Sequence, residues 1–387
     1  MEIALVAFHA DRGWSAPLPA LDGPRTLVVV FGASRYLDDP APLLEARAAL
    51  SQAQWIGCST AGEIFGAKIY DESLALAIVR FSADKKTRLQ GMIAPIAAAT
   101  ESFATGAAIG EALAGEGLRG VFVLSDGLKV NGTELVRGLS SALPAEVVVT
   151  GGLAGDGDRF ARTWVLGGDG LPREGHVAAI ALYGEHLRIG HGFKGGWDAF
   201  GPRRTVTRSE GNVLFELDGR PALQLYKEYL GERASGLPAT GLLFPLALSG
   251  EDAGRMIVRT ILAIDEAKDA LIFAGDVPTG ARAQLMKANF DRLIEGAEAA
   301  GEGARTTLGL TGEEAPVGGV LTLAISCVGR RLVLGERCEE EVEATLEALP
   351  AGAQQIGFYS YGELSPHASG GCELHNQTMT LTIICEL

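Results

Sequence analysis

The sequence has few cysteines and no long apolar segment. Its five cysteines among 387 residues are odd in number and form no C-x-x-C pair, which argues against a disulfide framework or a structural zinc site and favours a reducing cytoplasm. The apolar run at residues 3–8 is too short for a signal-peptide core, and no run approaches the ~18 residues of a membrane-spanning helix. We therefore expect a cytoplasmic protein without membrane insertion.

Basic and aromatic residues are also scarce. The 33 basic residues are outnumbered by 48 acidic ones, so the net charge is −15, and no basic tract occurs. This balance argues against non-specific binding to nucleic acid or to an anionic membrane surface. Aromatic residues make up only 6% of a chain that is 47% hydrophobic, so the cores should consist mainly of aliphatic side chains.

Glycine, in contrast, is abundant. The 52 glycines among 387 residues are about 13% of the chain, against a usual ~7%. They follow no Gly-X-Y period, which excludes a collagen-like chain. We expect them in turns between short elements.

A module of strand, helix, strand, turn and strand occurs three times, beginning near residues 26, 119 and 320. The first and third copies share the pattern Ile-Gly-x-x-x-x-Gly-Glu, which starts at Ile56 and Ile356. The chain is also too long for one domain of ~100–200 residues. We predict an α/β fold with mixed β-sheets flanked by helices, in two domains of residues 1–220 and 221–387.

Two further elements are predicted in the second half of the chain. Apolar residues recur on one face of a helix over residues 280–300, the longest predicted helix, with Met286 and Phe290 on that face. Residues 372–387 are predicted to form one regular strand that carries polar side chains on both faces.

Known catalytic motifs are missing or out of context. The G-x-G-x-x-G at Gly115 precedes a strand, whereas a dinucleotide-binding copy follows one into a helix. The stretch at residues 57–62 has Ala61 where a nucleophile elbow needs glycine. Cys372 and His375 point to opposite faces if the strand is regular, and only a bulge or bend at Glu373 would bring them into contact. We do not expect an enzyme; the alternative is a hydrolase or transferase with Glu63, Asp126 or Glu363 as general base.

Three turns place an acid directly after a glycine: Gly62-Glu63, Gly155-Asp156 and Gly362-Glu363. One interpretation is structural, because glycine permits a positive φ and the acid can accept backbone N–H groups in a tight turn. If the copies pack around a common axis, the acids could instead converge on the amino group of a ligand. Asp126 follows a strand, at the edge where open α/β sheets gather ligand contacts.

The densest polar and aromatic segment covers residues 356–382. Within it, His375, Asn376 and Gln377 form a polar run, and each buried amide or imidazole needs a partner. Either a satisfied hydrogen-bond network holds this strand in place, or these side chains line a pocket.

Four motifs resemble those of the FIST family, a bacterial sensory module with paired FIST N and FIST C domains. They are IGCSTAGEI at residues 56–64, FAGDVPTGARAQLM at 273–286, SCVGRRLVLGER at 326–337, and GFYSYGELSP followed by CELHNQTMTLT within 357–382. The resemblance implies a signal-transduction input module that binds a small ligand such as an amino acid and relays to a separate output protein, for instance a histidine kinase. The alternative it implies is a haem-binding nitric-oxide sensor with His375, or less favourably His191, as axial ligand.

The predicted ligand contacts are the residues at the family motifs and at the equivalent turns. They are Cys58, Ser59, Gly62, Glu63, Asp126, Gly155, Asp156, Tyr361, Gly362, Glu363, His375, Asn376 and Gln377. No metal is expected, and no cofactor is expected unless haem is bound.

Overall fold

The computed structural model describes residues 1–250, 256–310, 316, 318–367 and 370–387. Its α-helices are α1 (Ala41–Ala49), α2 (Ser102–Leu113), α3 (Gly132–Ala142), α4 (Ala222–Leu230), α5 (Phe290–Thr307), α6 (Val328–Leu334) and α7 (Cys338–Ala348). The strands before residue 220 are β1 (Glu2–His9), β2 (Gly13–Trp14), β3 (Thr26–Gly32), β4 (Gln54–Ser59), β5 (Glu63–Phe65), β6 (Lys68–Tyr70), β7 (Ser73–Arg80), β8 (Arg88–Pro95), β9 (Leu118–Ser125), β10 (Val148–Leu153), β11 (Val165–Leu166), β12 (His176–Tyr183), β13 (Leu187–Lys194), β14 (Asp198–Glu210) and β15 (Val213–Leu217). Those after it are β16 (Arg220–Pro221), β17 (Leu246–Ser249), β18 (Met256–Arg259), β19 (Ile261–Asp265), β20 (Ala270–Phe273), β21 (Arg282–Lys287), β22 (Val320–Cys327), β23 (Ala353–Ser360), β24 (Gly362–Pro366), β25 (Cys372–His375) and β26 (Met379–Glu386).

The three predicted modules share one topology. In each module, two strands pair in parallel and are connected through helical structure. A third strand pairs antiparallel with the first of them. The resulting orders are β4-β3-β7, β10-β9-β12 and β23-β22-β26. Strands buried on both faces have near-continuous apolar sequences, and every residue of β3 and β22 is buried. The predicted α/β fold with mixed sheets is confirmed.

The modules exchange strands in a cycle. Beyond its second strand, each module adds a short antiparallel strand to the second strand of another: β5 pairs with β23, β24 with β10, and β11 with β4. Through this exchange, two of the module sheets combine strands from both sides of residue 220, in the orders β13-β26-β22-β23-β5-β6 and β25-β24-β10-β9-β12-β8. This exchange brings the turns of the three modules together.

A fourth sheet, formed mainly by residues after 197, is antiparallel throughout and has the order β18-β17-β21-β14-β15-β20-β19, with β16 on β15. Its core includes Leu214, Leu271 and Phe273, which pack with Leu223 and Tyr226 of α4. Among the described residues, no helix is long and apolar enough to cross a membrane.

The glycine of the repeated Ile-Gly pattern, and the glycine at the equivalent position of the second module, have a packing reason. Gly57, Gly151 and Gly357 lie opposite Val30, Val123 and Ala324 in the three parallel pairs. A Cβ at these glycines would lie 2.6, 1.8 and 1.8 Å from the carbonyl oxygens of those three partners. Only glycine lets the second strand of each module come this close to the first.

The predicted helix over residues 280–300 is wrong in its first half. Residues 282–287 form β21 between β14 and β17, and α5 begins only at Phe290 after the N-cap Asn289. Met286, placed on the helical face by periodicity, is buried in the strand, while Phe290 is exposed. The short apolar run is compatible with both the helical and the strand period. It forms a strand because it pairs with two neighbouring strands.

The predicted single strand over residues 372–387 is interrupted. β25 ends at His375, β26 begins at Met379, and between them Gln377 has a φ of 63°. β25 pairs with β24, whereas β26 pairs with β13 and β22. The chain thus changes sheets at residues 376–378, so the alternation assumed for a regular strand does not apply there.

Candidate functional site

The three glycine–acid turns meet at one place and are joined by backbone hydrogen bonds. Each turn donates one N–H group to the next: Gly155 to the carbonyl of Ser59 (3.0 Å), Ala61 to that of Tyr359 (2.8 Å), and Tyr361 to that of Leu153 (3.1 Å). The three bonds form a closed ring. The three turns therefore pack together through backbone contacts, whereas the convergence of their acids on a ligand stays a prediction.

The first acid, Glu63, points into the protein. Its Oε1 accepts a hydrogen bond from the Thr60 hydroxyl, and its Oε2 accepts from the N–H (3.1 Å) and the hydroxyl (2.6 Å) of Ser73. Burial raises the pKa of Glu63 to about 7, although these hydrogen bonds oppose the rise. Glu63 thus ties its turn to the start of β7.

Glu363 has the same arrangement in the third module. Its Oε1 accepts from the Ser360 hydroxyl (2.7 Å), and its Oε2 accepts from the N–H (3.2 Å) and the hydroxyl (2.8 Å) of Thr378. Burial raises the pKa of Glu363 to about 8. In both modules the hydroxyl residue precedes the acid by three positions. The two turns therefore have the same local structure.

The third acid, Asp156, shapes an exposed loop. Its Oδ2 accepts from the N–H groups of Ala161 (3.0 Å) and Arg162 (2.9 Å), while its Oδ1 accepts from the Tyr361 hydroxyl. The Tyr361 hydroxyl also accepts from the N–H of Phe160 (3.3 Å), and the two rings stack with centroids 4.3 Å apart. Phe160 has a φ of 49°, an unfavourable conformation for an aromatic residue. Buried groups thus hold this loop in a strained conformation.

The remaining predicted residues of the first two modules are buried and have internal contacts. Asp126 accepts from the N–H groups of Leu128 and Lys129 (both 2.8 Å) and of Gly175 (2.9 Å). The Ser59 hydroxyl accepts from the N–H of Trp164 at 3.0 Å. Burial raises the pKa of the Cys58 thiol well above its usual value, which disfavours a reactive thiolate.

A cleft borders the ring of turns at Ala61. It consists of two adjoining cavities of about 520 and 440 Å³, which share Asp158, Arg159 and Leu332. The larger cavity has a mainly apolar wall, formed by Phe160, Leu237, Pro238, Leu242, Ile261 and Leu262. The cleft therefore lies between the loop after Asp156, helix α6 and the segment around residue 240.

The smaller cavity has more charged residues than the larger one, with which it shares Asp158 and Arg159. It is lined by Asp71, Asp158, Arg159 and Arg331. Arg331 is already paired, since it donates to both carboxylate oxygens of Asp71 at 2.8 and 2.7 Å. Arg159 is half exposed and lies 3.9 Å from the carboxylate of Asp156 and 4.0 Å from that of Glu72. One end of the cleft is thus charged and the other apolar.

Gly62 lies under Arg331. With a φ of 128°, it has a backbone conformation that favours glycine, and a Cβ there would lie 2.2 Å from a guanidinium nitrogen of Arg331. Gly155 is also closely packed, because its Cβ would lie 3.0 Å from the Ala61 nitrogen. At Gly362, a Cβ would lie 2.9 Å from the Leu374 side chain. These glycines allow the turns to approach one another and the wall of the cleft.

The polar run at residues 375–377 lies apart from this cleft. His375 and Asn376 line another cavity of about 490 Å³. Gln377 is fully buried and donates its amide N–H to the carbonyl of Leu242 at 3.1 Å, in the apolar wall of the cleft. The structure therefore places two of these three side chains at a cavity and the third between that cavity and the cleft.

Comparison with protein-family models decides the family. The FIST N domain model matches residues 26–220, and the FIST C domain model matches residues 222–366. The chain belongs to the FIST family. FIST domains are sensory domains of signal transduction, so the resemblance seen in the four sequence motifs is confirmed.

The other comparisons add no function to this FIST protein. No curated protein matches it. A solved structure described as PurLQS from Thermotoga maritima is similar over 95% of this chain and 67% of that one, but with 9% identity and a TM-score of 0.18. A similarity this weak carries no argument.

The surroundings of His375 in the FIST protein do not favour an axial haem ligand. Its Nε2 lies 3.0 Å from the carbonyl oxygen of Ser365, and its ring stacks on Phe193 with centroids 3.9 Å apart. An iron bound at Nε2 would have to displace the Ser365 contact. Haem titration of the purified protein tests this alternative: a Soret shift that is lost in His375→Ala would support haem ligation.

Several residues of the cleft were missed at the sequence level. Arg159 and Phe160 lie three and four residues after Asp156 of the predicted turn, so the turn itself pointed to their neighbourhood. Leu332 lies within the SCVGRRLVLGER motif, but neither periodicity nor composition marks it as exposed. Of the predicted ligand contacts, His375 and Asn376 line a cavity described here and the other eleven do not. The role of all thirteen in binding stays a prediction.

Tyr361→Phe is expected to lower the free energy of unfolding by about 1–3 kcal/mol, because it leaves the buried Asp156 carboxylate without one donor. The phenyl ring still stacks on Phe160, so the change isolates the hydroxyl. Urea unfolding measures the stability, and hydrogen exchange at residues 157–160 should become faster. Phe160→Leu, which removes the stack but keeps the hydroxyl contact to Asp156, is the matched control. Unchanged exchange in Tyr361→Phe would contradict the proposed tethering of the loop.

Proposed function

We propose that this protein is a cytoplasmic signal-transduction input module whose cleft binds a free amino acid or a related metabolite, and that it relays binding to a separate output protein such as a histidine kinase. The observation that carries the proposal is the division of the cleft into a charged end and an apolar end. An amino acid with an apolar side chain is divided in the same way, because its ammonium and carboxylate groups lie at one end and its side chain at the other. The FIST family supports the sensory role, and the chemistry of the cleft supports the ligand class.

The charged end offers both partners that an amino acid needs. A guanidinium pairs with a carboxylate through two parallel N–H donors, and Arg159 is the arginine of the cleft without a bidentate partner among the described residues. Asp158 is the exposed carboxylate available for the ammonium group. Phe160, Leu237 and Leu262 form a wall for the side chain. We assign the α-carboxylate to Arg159 and the ammonium group to Asp158.

The cleft is also suited to relaying a signal. Its walls come from residues matched by both family models, since residues 158–160 precede residue 220 and residues 236–242 follow it. A ligand that contacts both walls favours the arrangement in which they are closest, which shifts the population of the protein toward that arrangement. We therefore expect hydrogen exchange at residues 158–160 and 236–242 to become slower when the ligand binds.

A thermal-shift screen of free amino acids tests the proposal. A ligand at a hundred times its Kd stabilises the folded protein by about 2.7 kcal/mol, so the melting temperature should rise with amino acids that have apolar side chains. Leu332→Asp places a charge in the apolar part of the cleft and should abolish the shift. Leu44→Asp is the matched control, since Leu44 and Leu332 are 45% and 44% exposed.

Arg159→Ala should weaken binding by about tenfold or more, whereas Arg137→Ala, at another exposed arginine, should leave it unchanged. The proposal fails if no amino acid raises the melting temperature, or if Leu332→Asp binds as well as Leu44→Asp.

A further inference from the structure

A second cavity lies away from the amino-acid cleft. It has a volume of about 490 Å³ and shares no lining residue with the cleft. Its walls are the end of β13 with the residues after it, β18, β21 and the link between β25 and β26. They include Phe193, Trp197, Met256, Val258 and Met286 on the apolar side. The cavity thus has aromatic and thioether walls suited to a flat apolar surface.

Asn376 in this wall has an unsatisfied side-chain amide. The residue is fully buried, and neither its Nδ2 nor its Oδ1 has a hydrogen-bond partner in the part of the chain that the structure describes. A buried amide without partners costs free energy, and most buried polar atoms in folded proteins are paired. Asn376 therefore has one donor and one acceptor to offer to something outside the protein.

Three polar groups that lie near Asn376 in the sequence or in the cavity wall are engaged. The Trp197 indole N–H donates to the carbonyl of Gln377 at 2.8 Å, and the Thr378 hydroxyl donates to Glu363 at 2.8 Å. The Nε2 of His375 lies 3.0 Å from the Ser365 carbonyl oxygen. The Gln377 Oε1 and the Ser365 hydroxyl also lack a partner among the described residues, but neither residue lines the cavity. Asn376 lines it, so the partner of its amide is expected to come from the cavity.

The charges at the cavity limit the class of ligand. Lys194 and Arg292 line it, while no lining residue in the described ranges is acidic. Asp198 pairs with Arg292 but does not line the cavity, so an ammonium group would find no carboxylate on the wall. The zwitterion proposed for the cleft therefore does not suit this cavity. A neutral or anionic ligand does.

We propose that this cavity is a second binding site, for a small planar cyclic amide such as a free nucleobase or another lactam, recognised by Asn376 in a bidentate manner. A lactam edge presents an N–H donor beside a carbonyl acceptor, which is the complement of a side-chain amide. Asparagine reads the edge of adenine by the same pairing of one donor and one acceptor. The apolar walls would contact the faces of the ring.

Titration calorimetry with uracil and hypoxanthine tests the site. We expect at least one of them to bind the wild-type protein in the micromolar to millimolar range. Asn376→Leu should weaken that binding at least about tenfold and leave the melting temperature of the free protein equal or higher, because the substitution removes an unpaired buried amide. Asn376→Asp, which keeps the shape but loses the donor, should also weaken binding.

A blocked ligand and a variant of the cleft provide the controls. 1,3-Dimethyluracil has no N–H donor and should not bind, whereas Arg159→Ala should bind uracil as the wild type does. The proposal is overturned if neither uracil nor hypoxanthine binds, if Asn376→Leu binds equally well, or if only an ordered water pairs with Asn376 in a crystal soaked with these ligands. None of these outcomes affects the proposal for the amino-acid cleft, which is tested through Leu332 and Arg159.

Discussion

Arg330→Met is expected to lower the free energy of unfolding by about 3–5 kcal/mol, because it leaves a buried carboxylate without its cation. Arg330 and Glu341 are both fully buried, and the Arg330 Nε lies 2.5 Å from the Glu341 carboxylate. The guanidinium also donates to the carbonyl of Leu293 at 2.7 Å and to that of Gly195. The substitution removes all three contacts, and denaturant unfolding measures the loss.

Two further variants separate the ion pair from packing. Arg330→Met/Glu341→Leu removes both charges and should recover much of the stability lost in the single variant. Arg337→Met breaks exposed pairs with Glu340 and Asp291 and should cost less than about 1 kcal/mol. A small loss in Arg330→Met, similar to that in Arg337→Met, would show that the buried pair does not hold this part of the protein together.

Glu363→Gln is expected to remove a large part of the dependence of stability on pH. The pKa of Glu363 is about 8 in the folded protein, against an ordinary value of 4.5. Below pH 4.5 the carboxyl is protonated in both states, and its contribution to stability is fully present. As the pH rises toward 8, the unfolded state loses this proton first, so stability falls, by up to about 5 kcal/mol at ~1.4 kcal/mol per pKa unit.

The glutamine variant has no proton to lose at this position. Its amide can accept from Thr378 and donate to Ser360, as the protonated acid does, so we expect similar stability at pH 5 and higher stability than the wild type at pH 9. Glu63→Gln should show the same effect with a smaller amplitude, since the pKa of Glu63 is about 7. Unfolding in urea at several pH values measures both; parallel curves for wild type and Glu363→Gln would contradict the raised pKa.

The candidate site was only partly predictable from sequence. The three glycine–acid turns were found because each repeats at one point of the module, and the structure joins them in a ring. The sequence did not reveal where each acid points. Glu63 and Glu363 point to hydroxyl groups at the starts of β7 and β26, whereas Asp156 shapes the loop that carries Arg159, and these directions depend on strand partners distant in the chain.

Fold prediction failed where a short segment had two possible partners. The segment at residues 282–287 fitted a helix by periodicity, but the two strands beside it offered hydrogen bonds on both edges. The break at Gln377 was also missed, because residues before and after it pair with different sheets. Helix α7 carries a buried Glu341 that no local pattern indicates, because its partner Arg330 belongs to another helix.

The sequence alone determined the three modules, the α/β class and the family, because buried parallel strands and repeated Ile-Gly patterns are local signals. Its apolar runs are also shorter than a membrane-spanning helix needs. Only the tertiary structure decided that the modules exchange strands in a cycle, that two of the turn acids are internal, and that a charged and apolar cleft and an unpaired Asn376 lie at separate cavities. These features depend on contacts between residues far apart in the chain, whose distances and directions no local pattern contains.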